Sequence, residues 1–169
     1  MKKVIMGAIL GASILCTPIT AKANALSYVP PCEVDGIPSE IASYAEIIGH
    51  EFNICPELLE AMAFYESSYD PEVTNGNCKG LMQVNPSIHR LRFEEAGWTT
   101  ADWDNAYKNM YVAADYLAEL FEEYEDVGIV LGIYHGESNA VEKGKTGNLS
   151  GYTRKILQRS EELERSHSK

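Results

Sequence analysis

A mainly α fold, about five to six helices with little or no β, is what three features of the sequence predict. Apolar residues recur at steps of three and four through most of the chain, the spacing that aligns side chains on one face of a helix. No stretch alternates apolar and polar residues as a half-buried strand does. With 45% hydrophobic residues in 169, there is enough apolar material for one compact domain, and no internal repeat or low-complexity linker divides it.

The elements follow in order. Residues 1–25 combine Lys2 and Lys3, an apolar run over residues 4–15, and small residues at Ala21, Ala23 and Ala25, so they read as an export signal removed from the mature protein. The run is too short to span a bilayer comfortably, and Leu15 before Cys16 is not the small residue of a lipoprotein signal. The alternative is an uncleaved membrane anchor. Residues 26–38 form a lead-in containing Pro30 and Pro31. Ser39 is placed to cap a helix over 39–51, where Ile41, Ala45, Ile48 and Phe52 repeat after Ile37. Pro56, tolerated in a first turn because it lacks an N–H, opens a second helix to about residue 68. Asp70-Pro71 and Asn75-Gly76-Asn77 give turn chemistry for an irregular loop or small hairpin. From about residue 102, Trp103, Tyr107, Met110, Ala114, Leu117, Phe121 and Tyr124 predict one helix of more than twenty residues. Val127, Val130, Leu131 and Tyr134 form a shorter helix. Ser150 caps a last one bearing Tyr152, Ile156 and Leu163, and the polar tail 164–169 is expected to fray, leaving residues 39–163 as the folded domain.

The formal net charge is −11, and loss of the signal with Lys2, Lys3 and Lys22 takes it to −14. Such a chain lacks the basic footprint that phosphate backbones require, so nucleic acid is excluded as a partner. Three cysteines then remain: Cys32, Cys55 and Cys78. A bridge between Cys55 and Cys78 would fasten the segment between them at both ends, while Cys32 with Cys55 or with Cys78 is equally permitted. No paired C-x-x-C or His spacing suggests a metal site.

The segment 54–86 concentrates the chemistry. On the helix opened by Pro56, Leu59, Met62, Ala63 and Glu66 share one face, so Glu66 continues an apolar stripe, whereas Glu57 and Glu60 are expected to point toward water. Burial disfavours the ionised carboxyl and keeps the proton that a general acid needs. The alternative is a structural glutamate satisfied by a neighbouring group. Glu66-Ser67, then Tyr69-Asp70-Pro71, then Gly80-Leu81-Met82-Gln83-Val84-Asn85-Pro86 resembles the double motif of SLT-type lytic transglycosylases, members of the lysozyme-like superfamily related to goose lysozyme. The resemblance extends more weakly to Ile133-Tyr134-His135-Gly136 and to Tyr152 with Lys155-Ile156-Leu157.

This resemblance implies a lysozyme-like fold and cleavage of the β-1,4 bond between N-acetylmuramic acid and N-acetylglucosamine in peptidoglycan. Glu66 would act as acid and then as base toward the sugar's own C6 hydroxyl, giving a 1,6-anhydromuramoyl end, with no metal or organic cofactor. It implies that Ser67 and Gln83 line the groove and contact the acetamido sugar, that Met82 shapes its floor, and that the Tyr134 hydroxyl lies near Glu66 with Tyr152 approaching from the last helix. For Met82, Tyr134 and Tyr152 ordinary core filling is the competing account, and for Ser67 it is helix termination. Gly80 would let backbone groups approach a bound sugar. The family usually reads Ala-Tyr-Asn-Ala-Gly where this chain has Ile133-Tyr134-His135-Gly136-Glu137, which leaves the contacts of His135 open and raises Glu137 as a second carboxylate or a solvated loop residue. Trp98, Trp103 and Tyr69 are candidates for stacking on sugars or for the core. His50, His89 and His167 have no partner legible in sequence. An exported monomer acting in the periplasm or cell wall is expected, and its small size suits a secretion, conjugation or phage apparatus. A hydrolytic muramidase and a non-catalytic wall-binding or assembly component are the alternatives.

Overall fold

The computed structural model of the protein describes residues 36–167. The predicted signal, most of the lead-in and Cys32 lie outside the described residues. The order is α1 (Ser39–Phe52), α2 (Pro56–Ser67), β1 (Thr74–Asn75), β2 (Cys78–Lys79), α3 (Arg90–Glu95), a 3-10 helix (Thr100–Asp104), α4 (Ala106–Glu123), α5 (Val127–Tyr134), α6 (Ala140–Thr146) and α7 (Gly151–His167). The mainly α prediction holds, with seven α-helices among the described residues where five or six were expected. The extra ones, α3 and α6, have six and seven residues, too few turns for a period to show in sequence.

The core is organised around α2, which packs against α1, α4 and most extensively α7. Pro56 occupies its first turn, and Ser68 ends it in the left-handed region with φ 54°. Six consecutive residues, Leu58, Leu59, Glu60, Ala61, Met62 and Ala63, are buried. Six residues exceed one 3.6-residue turn, so this part of the helix has no side left for water. Glu60 is accordingly 2% exposed, correcting the expectation that it points toward solvent. Glu57 is partly covered too, tied to the end of α7.

α1 begins at Ser39 itself, with Pro38 at the capping position and no side-chain cap, so Ser39 is the first helical residue. The chain turns sharply from α1 into α2 because Gly49 has no side chain: a Cβ there would lie 2.6 Å from the Ile54 carbonyl oxygen. The long helix expected from residue 102 is two elements. The 3-10 helix ends at Asp104, and Asn105 accepts from the Lys108 N–H at 3.0 Å through its side-chain oxygen, capping an 18-residue α4. A short polar side chain that bonds a nearby N–H ends one helical run and starts the next.

Asp126 caps α5 in the same way, and Ser150 caps α7 as predicted, accepting from the Thr153 N–H at 3.1 Å. α7 then stays helical to His167, past the expected frayed tail. Leu163 is buried, and His167 Nδ1 lies 2.9 Å from Glu57 Oε1 at the start of α2. β1 and β2 form the expected small hairpin, pairing Thr74 with Lys79 and Asn75 with Cys78. No helix among the described residues is long and apolar enough to cross a membrane.

Candidate active site

A cleft of about 430 Å³ opens where α2 ends. Tyr65 and Glu66 come from the last turn of α2, Asn75 and Cys78 from the hairpin, Gln83 from the following turn, Tyr134 and His135 from the end of α5, and Tyr152 from the first turn of α7. Among the described residues Glu66 is the only carboxylate in the lining. It is half-buried, and burial pushes its carboxyl above the ordinary value while the hydrogen bond donated by the Tyr152 hydroxyl to Oε1 offsets part of that rise. Tyr152 is itself held far above the usual phenol range by burial, by the adjacent Glu66 charge and by that hydrogen bond, so it stays a neutral donor. His135 stacks flat on Tyr152, with ring centroids 3.8 Å apart and planes at 11°. The ring fixes the phenol against the carboxylate.

Tyr134 lines the cleft, but its hydroxyl donates to the Met82 carbonyl at 2.7 Å rather than to Glu66. The expected proximity to the acid survives only as a charge effect: burial first, then Glu66, raises the Tyr134 phenol. Met82 is fully buried and outside the lining, so its side chain is core and only its backbone serves the site. Ser67 is buried as well, with its hydroxyl directed to the carbonyls of Leu81 at 2.8 Å and Ala63 at 3.1 Å. It ties α2 to the Gly80–Gln83 turn and does not face the groove, because its neighbour Glu66 already occupies the open side of the helix. Gln83 does face the cleft. Its amide Nε2 donates to the carbonyls of Val73 and Gly80 at 3.0 and 2.9 Å, leaving the amide oxygen as an acceptor.

The turn is held by a residue that sequence inspection missed. Asn109, fully buried on α4, accepts from the Met82 N–H at 2.8 Å and donates to the carbonyls of Lys79 at 3.0 Å and Trp103 at 2.8 Å. Gly80, at φ 82°, makes room for it: a Cβ would lie 2.2 Å from the Asn109 amide nitrogen and 2.4 Å from the Trp103 carbonyl. Close packing against α4, and not approach to a sugar, is therefore what requires this glycine. The available signal was a lone amide inside the apolar stripe of α4, next to Met110.

Glu137 is absent from the lining and ion-paired to Lys143 at 2.8 Å, and hydrogen bonding by Lys143 and then Ser150 holds its carboxyl below the ordinary range. Cys55 and Cys78 are both free. They sit at opposite ends of α2, whose 12 residues span roughly 18 Å, whereas a disulfide needs Cα atoms within about 7 Å. Trp98 packs edge-on against Tyr111, and Tyr69 accepts from Arg159, so neither reaches the cleft. His89 packs on Tyr116 and His167 on Glu57. Among the described residues no three His, Cys, Asp or Glu side chains cluster as a cation site.

The family model for the transglycosylase SLT domain matches residues 43–156, an interval that contains every residue of this cleft. The chain belongs to the SLT transglycosylase family. No curated protein matches it. For an SLT domain, the mainly α, lysozyme-like architecture described above is the expected one, and the family indicates a transglycosylase acting on peptidoglycan. Within the SLT interval Glu66 of the first motif and Gln83 of the second line one cleft, although they are separated in sequence by the hairpin.

Proposed function

We propose that the protein is an exported peptidoglycan lytic transglycosylase that cuts between N-acetylmuramic acid and N-acetylglucosamine and leaves a 1,6-anhydromuramoyl end. The observation that carries this reading is a cleft with a single carboxylate, raised by burial and held by one phenol. Hydrolytic glycosidases ordinarily set two carboxylates about 5–10 Å apart, the second serving as nucleophile or as the base for water. The cleft lining offers no such partner, and Glu137 is engaged with Lys143.

The protonated Glu66 gives its proton to the glycosidic oxygen as that bond breaks. Tyr152 bonds Oε1, so Oε2, which has no protein partner among the described residues, is the oxygen placed to deliver it. The resulting carboxylate stands beside the cationic sugar and stabilises it, then takes the proton of the C6 hydroxyl as that oxygen attacks C1. The proton is exchanged once in each direction, and no water is consumed. The Gln83 amide oxygen is an acceptor for a sugar N–H or O–H.

Mass spectrometry of muropeptides released from purified peptidoglycan tests this, with Glu66→Gln as control. Anhydro ends, lighter than reducing ends by one water, are expected. Reducing ends would identify a muramidase instead, and intact strands in the presence of folded protein would favour a wall-binding or assembly role.

A further inference from the structure

The hairpin has a second side. Successive residues of a strand point to opposite faces, and where Asn75 and Cys78 face the Glu66 cleft, Asn77 and Lys79 face a separate cleft of about 320 Å³ that runs to Asn85 and Trp103. No Asp or Glu lines it, on a chain with 25 acidic residues against 14 Lys and Arg. Lys79 is half-buried and forms no ion pair among the described residues, whereas Arg92, Lys108 and Lys143 are each paired with an acid. Its ammonium is held 5.2 Å from the centre of the Trp103 ring. Asn85 spends its side-chain oxygen on the N–H groups of Ser87 at 3.1 Å and Ile88 at 3.4 Å, so its amide NH2 is left to donate. The Lys79 ammonium and the Asn85 amide therefore suit an acceptor carrying negative charge, beside an aromatic wall that suits an aliphatic chain.

We propose that this cleft is a carboxylate subsite for the peptide stem carried by the glycan strand, with Lys79 and Asn85 as donors and Trp103 as the wall. The identity of the strand rests on the peptidoglycan reading above; the chemistry of the cleft does not. A strand seated over Glu66 projects its stem across the two-stranded hairpin, whose two residues per strand separate the clefts. The subsite then favours strands with ionised stems over strands that are stripped or amidated.

Isotope-labelled Glu66→Gln protein, which cannot turn over, is titrated with the N-acetylated stem tetrapeptide bearing free carboxylates, and the Trp103 indole and Asn85 side-chain amide resonances are followed. Saturable shifts are expected there. Lys79→Gln weakens binding about tenfold or more, as loss of a hydrogen bond to a charged group does, and Lys79→Arg restores most of it. The carboxamide form of the peptide binds the Lys79 protein about tenfold more weakly. Shifts that bypass Trp103 and Asn85, or equal affinities for the Lys79→Gln protein or for the carboxamide, overturn the subsite. The readout is binding, so a protein that releases no anhydro ends fails the preceding reading without moving this one.

Discussion

Two glutamates six residues apart on α2 share a helix, a residue type and a raised carboxyl, yet they do different things. Glu60 is 2% exposed, its Oε2 has no hydrogen-bond partner, and burial lifts it to about 7. The charges facing it are Arg159 and His167 from α7, Glu57 from its own helix and Glu46 from α1; the cations pull its carboxyl down and the acids push it up. Glu66 is also lifted by burial, but it opens onto a cleft and receives one directed donor, Tyr152. Desolvation alone produces a protonated acid. On the proposed reading, access and a fixed donor make that proton transferable to a substrate.

The largest expected effect breaks the pair apart at once. Glu66→Gln lowers turnover about 10³-fold or more, equivalent to about 4 kcal/mol of transition-state stabilisation, while the protein stays folded. Glu60→Gln does the reverse, leaving turnover intact and changing stability. In the folded protein Glu60 binds its proton more tightly than in the unfolded chain, where the carboxyl has its ordinary value of 4.5. That stability is complete below 4.5 and is lost as pH rises through about 7. Denaturant melts at pH 8 should show the Gln variant more stable by about 3 kcal/mol, and melts at pH 4 should show almost no difference.

Tyr152→Phe sharpens the Glu66 side. Loss of one charge-assisted hydrogen bond slows turnover roughly tenfold, and because that bond lowers the Glu66 carboxyl, the alkaline limb of the pH–rate profile moves to higher pH. A pH profile with an unmoved limb would reduce Tyr152 to packing. His167→Ala is the smallest effect, below about 1 kcal/mol in stability because the pair is partly solvated. It removes a cation that lowers Glu60, so the midpoint of the Glu60-dependent loss of stability moves upward in the same melts.

What sequence could reveal follows the same division. Glu66 was legible because its apolar stripe and the two motifs point to one place; the cap and period of the last helix gave Tyr152 its element, and only the family resemblance placed it beside Glu66. Glu60 was not, since the period of a helix tells which residues share a face but not how many neighbours cover it, and α2 is enclosed by α1, α4 and α7. Ser67 serves the motif through the bond its hydroxyl donates to the Leu81 carbonyl, and Met82 through the backbone bonds it makes with Asn109 and Tyr134, which a list of side chains near a groove cannot separate from contact with substrate. The Asn105 break was hidden because Trp103 and Tyr107 keep the apolar rhythm across it.

The bond between Tyr152 and Glu66 joins residues 86 positions apart, from the last helix back to the second. A chain emerging N-terminus first carries its acid long before it carries the phenol and the helix that cover it. A chain cut short before residue 152 therefore lacks the phenol that bonds Glu66, and on the proposed reading its acid is left without that fixed partner.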